Sequence, residues 1–435
     1  MVLIYSEQLT ERLQFIAKFI FEERLADAVQ VTDSLELYNQ FGGVKLNYST
    51  NNELPGVWIY PHAILFEKGI HDQVLKTVLV DEIPAIFPVS AGAMTFDPFA
   101  AMFYMLSRYE EYLPFQGDMY GRFRAEDSLA FKNGFLRIPV VEYWLEFLKK
   151  AILQVYTQTE FKSSEYQFLS TIDVDNAFAY RHKGLFRSIG GFGRDLMKVQ
   201  FSNLKRRISV LFAGADDPYD TFDLLLELHQ KYQVKPIYFF LLADYGHNDK
   251  SVSFSNPKFQ RLIKSIADEA KVGVHPGFMS NYNYSKLPIE IARLQELTHR
   301  EVQRSRQHYL MLSFPETYRR LVDAGIREEH SMGFASQSGF RAGTSMPFMF
   351  YDLDREASTP LKIVPFAAMD ATLNRYMGLS PVEAIQNLVE LRDAVHNVNG
   401  HFVTLWHNET LGEIWEWEGW RMVYEEVLKI GTLQD

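Results

Sequence analysis

Several short segments of this 435-residue chain combine side chains suited to proton transfer and metal binding. Thr171-Ile172-Asp173-Val174-Asp175-Asn176 closes an apolar run with two carboxylates at i and i+2. In an extended strand that spacing aims both to one side. Neighbouring carboxylates repel unless a cation neutralises them, so the pair suits a metal ligand beside a general base. The same aspartates could equally cap a turn. Val272-Gly273-Val274-His275 delivers an imidazole to a second strand end, and Arg306 and His308 again stand two residues apart. A guanidinium there can hold a carboxylate while the imidazole ligates a metal. A salt bridge beside a buried histidine is the plainer alternative. The apolar run before His407 offers a general acid, provided that a carboxylate such as Asp370 orients it and raises its pKa. Arg341 sits between Gly339 and Gly343, as if its guanidinium must be approached closely. Trp406, Trp415, Trp417 and Trp420 read mostly as packing, with a sugar-stacking wall as the alternative.

These residues need a scaffold that gathers strand ends. From residue 166 onward, strand patterns alternate with helical ones, and the strands end in Asp, His or Arg. A helix is expected over 221–232, a long one over 288–305 and another over 315–324. Repeated strand-then-helix units imply a parallel sheet. About seven of them are compatible with a closed or nearly closed barrel, whose chemistry sits on loops at the carboxyl ends of the strands. The preceding region reads as a smaller mixed α/β unit, with strands at 2–5, 44–48 and 57–60 and helices near 97–112 and 141–156. The polar stretch 157–164 suggests a division into domains 1–162 and 163–435.

Composition narrows the chemistry. The chain has no cysteine, so disulfides, thiol nucleophiles and thiolate-bound metals are excluded, and a metal must be held by His, Asp or Glu. The net charge of −11 argues against a nucleic-acid partner. The basic stretch 194–207 is answered by Asp216, Asp217 and Asp220 and reads as a solvated helix face or a flap. No apolar run approaches the roughly 18 residues of a membrane span. Glu7, Glu11, Arg12 and Lys18 break any secretory pattern, so a cytoplasmic location is expected.

The order of these segments, together with Val234-Lys235-Pro236-Ile237-Tyr238-Phe239-Phe240, resembles the NodB-homology polysaccharide deacetylases of carbohydrate esterase family 4 over residues 166–435. The region ahead resembles the companion domain of a divergent bacterial branch of such proteins. The resemblance implies a distorted (β/α)7 barrel and a divalent metal, zinc above all, held by one Asp and two His. It further implies hydrolysis of an N-acetyl group on a carbohydrate or another N-acetylated small molecule. Carried across, it makes Asp173 the base, Asp175 the metal aspartate, His275 the first metal histidine and His407 the general acid. Arg306 falls where the family orients its aspartate, and Asp370 where a carboxylate tunes the acid. Two departures matter. Val174 separates acids that the family keeps adjacent, so base and ligand could be exchanged. Met279 stands where the second metal histidine belongs, and a thioether is a poor substitute for imidazole on zinc. We expect His308 to supply that ligand; otherwise Ser280 or water completes a weaker site, or no metal binds. Arg341 is assigned provisionally to substrate or to the catalytic aspartate. A metal-free barrel that binds a glycan or nucleotide-sugar, and a hydrolase of another small amide, are the alternative readings.

Overall fold

The computed structural model describes residues 1–162 and 164–433, with Phe186 and Arg194 described by their backbone alone. Strands β1 (Val2–Tyr5), β2 (Val29–Thr32), β3 (Val44–Asn47) and β4 (Val57–Trp58) form a parallel sheet in the order β2-β1-β3-β4. Every residue of β1 is buried, which suits its Val-Leu-Ile-Tyr sequence. Strands β5 (Thr77–Val80) and β6 (Ile83–Ile86) pair antiparallel through Asp81 and Glu82, both at positive φ. That backbone matches the twist of the two strands. The helix Pro98–Leu106 is buried on all sides. Asp97 caps it, accepting from the N–H groups of Phe99 and Ala100, and burial pushes its carboxyl up to about 6. The expected helix over 97–112 therefore ends early, where Arg108 turns left-handed. The helix Val140–Val155 closes this half, and the division expected at 162/163 falls at Ser163, outside the described residues.

The large sheet contains β7 (Gln167–Val174), β8 (Ile237–Leu241), β9 (Lys271–His275), β10 (Arg304–Ser305), β11 (Glu328–Glu329), β12 (Phe348–Asp352), β13 (Ala357–Ile363), β14 (Ala368–Met369) and β15 (His401–His407). Their order is β12-β13-β11-β10-β9-β8-β7-β15-β14. Only the β12–β13 pair is antiparallel. All five residues of β8 are buried, as in a strand covered on both faces. The fold class is α/β as expected, but the closed seven-unit barrel is not what forms among the described residues. The sheet has nine strands, and no ladder joins its edges β12 and β14. The antiparallel β12–β13 hairpin occupies the edge that a further parallel strand would need. Strands β10, β11 and β14 have two residues each, too few rungs to carry closure.

Two local expectations also change. The helix expected over 288–305 spans Lys286–Thr298 and stops at left-handed His299, because residues 304–305 must pair as β10 between β9 and β11. The basic stretch forms parts of two helices, Leu185–Met197 and Phe201–Phe212; Lys198 and Lys205 are exposed as expected, and Arg207 departs, buried against Asp195 at 2.9 Å.

Candidate active site

The parallel order places the carboxyl ends of β7, β9, β10 and β15 beside one another, with Ser305 opposite Val274 and His407 opposite Asp173. A cleft of about 570 Å³ opens there, lined by Asp173, Asp175, His275, His308 and His407.

The centre of the cleft is Asp175, one residue past β7. His275 Nε2 lies 3.2 Å from its Oδ1 and His308 Nε2 lies 3.3 Å from its Oδ2, one imidazole against each oxygen. Both rings are committed at their other nitrogen. His275 Nδ1 donates to the backbone carbonyl of Arg306 at 2.6 Å, and His308 Nδ1 to Asp249 Oδ1 at 2.9 Å. In its neutral form a ring that donates through Nδ1 offers a lone pair at Nε2, which is the tautomer a metal requires. Asp175 Oδ1 is buried and accepts no hydrogen bond. Ligand atoms of the three residues lie within 4.8 Å of one another. A nitrogen, nitrogen and oxygen set with one open side fits a divalent ion of the zinc type. Electrostatics agree. Burial opposes the charge on Asp175, yet the two histidines hold its carboxyl well below the usual range. Burial likewise opposes the charge on His308, but Asp175 and Asp249 push it up to about 9.

Beside this cluster, Asp173 receives Arg306 Nη1 at 2.9 Å, and its Oδ2 faces His275 Nε2 at 3.7 Å. Arg306 is fully buried, lies over the Phe239 ring at 4.6 Å and donates through Nε to the His330 carbonyl. Its orientation is thus fixed from three sides. Across the cleft, Asp370 accepts from both the backbone N–H and the Nδ1 of His407, each at 2.8 Å. Burial alone would lower the His407 pKa, but the Asp370 carboxylate raises it to about 10. His407 is therefore an imidazolium at neutral pH, with Nε2 at 3.9 Å from Asp175 and free to give a proton.

Seven of the eight residues singled out from the sequence meet here: Asp173, Asp175, His275, Arg306, His308, Asp370 and His407. Arg306 and His308 share a direction although β10 ends at Ser305 and His308 opens a short 3₁₀ turn. Met279 is 45% exposed and stays out of the cluster; its N–H lies 3.4 Å from Asp249. Ser280 turns away to donate to Glu290.

For Arg341 the assignment to the aspartate is corrected: its Nε and Nη2 grip Glu111 at 2.9 and 2.5 Å, and it reaches neither Asp173 nor the candidate metal residues. It does line a cavity of about 320 Å³ that shares Tyr120, Arg122 and Tyr376 with the cleft. The small residues around Arg341 serve chain packing. Gly339 has φ +137°, and a Cβ there would lie 2.5 Å from the Leu136 carbonyl oxygen. Gly343 lies against Met105 and Val140 in the same way. The tryptophans are mostly packing, as expected: Trp406, Trp417 and Trp420 are core, and of the four Trp415 alone is exposed.

Sequence reasoning missed three contributors. Asp249, in the loop after β8, is almost fully buried and steadies His308. Tyr120 and Arg122, from the first half of the chain, line the same cleft. Tyr120 packs on Tyr309 with ring centroids 5.1 Å apart, and Arg122 Nη1 donates to the Tyr309 carbonyl at 2.6 Å. Tyr309 itself sits at φ +60°, a costly conformation for a non-glycine residue. None of the three lies in a motif; proximity to a strand end was the only available signal for Asp249.

Residues 2–157 match the model of a family of unknown function, DUF7033. A comparison with curated protein sequences gives no match. Among solved structures, the chain is similar to a protein designated a polysaccharide deacetylase from Mycobacterium smegmatis. The identity is 13%, the TM-score 0.42, and the match covers 63% of this chain and 86% of that one. A protein so designated from Pseudomonas aeruginosa PAO1 has 12% identity, TM-score 0.39 and coverage of 62% and 85%. The polysaccharide deacetylase Bc1974 from Bacillus cereus has 12% identity, TM-score 0.30 and coverage of 60% and 85%. At these identities and scores the likeness by itself assigns neither fold nor activity to the chain. Among the described residues, no helix is long and apolar enough to cross a membrane.

Proposed function

We propose that this chain is a metal-dependent hydrolase that removes an N-acetyl group from a carbohydrate or glycan precursor. The observation that carries this reading is the convergence of His275 and His308 through Nε2 on Asp175, with each Nδ1 already committed. Asp175, His275 and His308 would hold the ion, zinc being the best match to the donor set. When bound, such an ion polarises an amide carbonyl and acidifies water. Asp173, held by Arg306, takes a proton from the attacking water. The water oxygen bonds to the carbonyl carbon, the C–N bond breaks, and His407 Nε2 delivers the proton that lets the amine depart. Acetate and the free amine leave. Residues 163–435 carry this chemistry, and residues 1–162 act as a first domain that walls the cleft.

Metal analysis of the purified chain, paired with acetate release from N-acetylated sugars, tests the reading. The wild type should hold one equivalent of zinc, Asp175→Ala none. His407→Ala should keep its metal and lose on the order of 10²–10⁴ in turnover. Failure of the wild type to take up an equimolar divalent ion would remove the proposal.

A further inference from the structure

Next to the catalytic cleft lies a second cavity of about 560 Å³, under the two helices that follow β7. The two spaces are continuous, because Asn176 and Lys250 line both. In a chain of net charge −11 this second cavity is cationic. Lys183, Arg187, Arg207 and Lys250 line it, and among the described residues its one carboxylate is Asp195. Asp195 is engaged by Arg207. Arg187 spends its donors on the backbone carbonyls of Lys250 and Ser251, both at 2.8 Å, so it is positioned without being neutralised. It lies over the Tyr245 ring at 4.2 Å, which fixes the guanidinium plane. The nearest acids are outside the cavity wall. Asp217 is occupied by the N–H groups of Ala179, Tyr180 and Arg181, and Glu409 lies on the catalytic side. Burial, then repulsion from Arg187, brings the Lys183 ammonium down to about 8 against the pull of Glu409 and Asp217.

Three positive side chains, Lys183, Arg187 and Lys250, thus line a space whose one lining carboxylate among the described residues, Asp195, is engaged by Arg207. A single carboxylate would leave most of that charge unbalanced, whereas a phosphate carries up to two negative charges and several acceptor oxygens. We propose that this cavity seats the phosphate of a phosphorylated N-acetyl sugar whose acylamino group lies against Asp175. The inference rests on the deacetylase reading for the acylamino end and on the cavity alone for the phosphate end. The reaction that supplies the substrate is then a phosphoryl transfer to an N-acetyl sugar.

Isothermal titration calorimetry on the intact Asp175→Ala chain, which cannot turn substrate over, isolates binding. N-acetylglucosamine 1-phosphate should bind at least tenfold more tightly than N-acetylglucosamine, with an affinity that falls as salt rises. In Asp175→Ala combined with Lys183→Gln and Lys250→Gln, the phosphorylated sugar should weaken on the order of tenfold while the neutral sugar is unchanged. Equal affinity for the two sugars, or equal weakening of both in that variant, would overturn the inference. So would N-acetylmuramic acid, a carboxylate sugar, binding as tightly as the phosphate. If the deacetylase reading alone fails, acetate release is absent from the wild type while these binding differences persist.

Discussion

Two buried arginine–carboxylate pairs in this molecule look alike and do opposite things. Arg306 meets Asp173 at the candidate cleft, and Arg341 meets Glu111 where the first half of the chain docks on the second; every partner is at most 4% exposed. Glu111 is saturated, with Arg341 on both oxygens and Arg108 Nε adding a further contact at 2.8 Å. Burial opposes its charge, but the two guanidinium groups hold it below its usual range. Asp173 is gripped at Oδ1 only, and Oδ2 is left toward His275 and the cleft. The difference lies in the unspent oxygen. A saturated carboxylate is a rivet, whereas one held by a single arm is oriented and still able to accept a proton.

Breaking each pair should separate these roles. Asp173→Asn is expected to lower acetate release per folded molecule by on the order of 10²–10⁴. It also takes the counter-charge from buried Arg306, at up to about 3–5 kcal/mol of stability, so turnover of the folded fraction is the readout, and retained turnover there would show that Asp173 is structural. Glu111→Gln should spare that turnover. Leaving Arg341 and Arg108 buried without a counter-charge costs about 3–5 kcal/mol of stability by denaturant titration, with turnover per folded molecule retained. Glu142 is an intermediate case at the same junction. Thr344 donates to one of its oxygens, the other has no partner, and burial raises the carboxyl to about 7 from 4.5. Between those two values the folded chain holds a proton that the unfolded chain has lost, so this group's stabilising contribution disappears as pH rises through 7. Glu142→Gln should remove that slope and stabilise the protein above pH 7 by up to about 3 kcal/mol, read from unfolding curves between pH 5 and 8.5. The smallest effect is expected at Asp249. Asp249→Asn keeps an acceptor for His308 but loses its charge, and zinc affinity measured by chelator competition should fall about 10–100-fold.

How far the site could be read from sequence follows from its geometry. Asp173 and Asp175, and Arg306 and His308, were legible because a spacing of two keeps side chains on one side of an extended chain, and the aspartate pair also follows an apolar run. His407 was legible for the same reason, and Asp370 as a carboxylate that could serve it. Asp249 was not, because the loop after β8 carries no periodic pattern to aim it. Tyr120 and Arg122 were out of reach, since their contacts with Tyr309 span about 190 positions of chain. Arg341 was read toward Asp173 because of the glycines beside it. They make room for Leu136, Met105 and Val140, and a sequence does not say which neighbour needs the room. Barrel closure depended on two-residue strands, which leave almost no alternating pattern to read.

Arg122 grips the carbonyl of Tyr309, the residue directly after His308. The seat of that imidazole is therefore set by a clasp from far upstream, as a key's bite is set by the lock body around it. Cutting the chain at residue 163 would not release a smaller version of the same centre. It would yield one whose histidine has lost its outer brace and whose cleft has lost the Tyr120 wall. Tyr120 and Arg122 thus belong to the wall of the cleft itself.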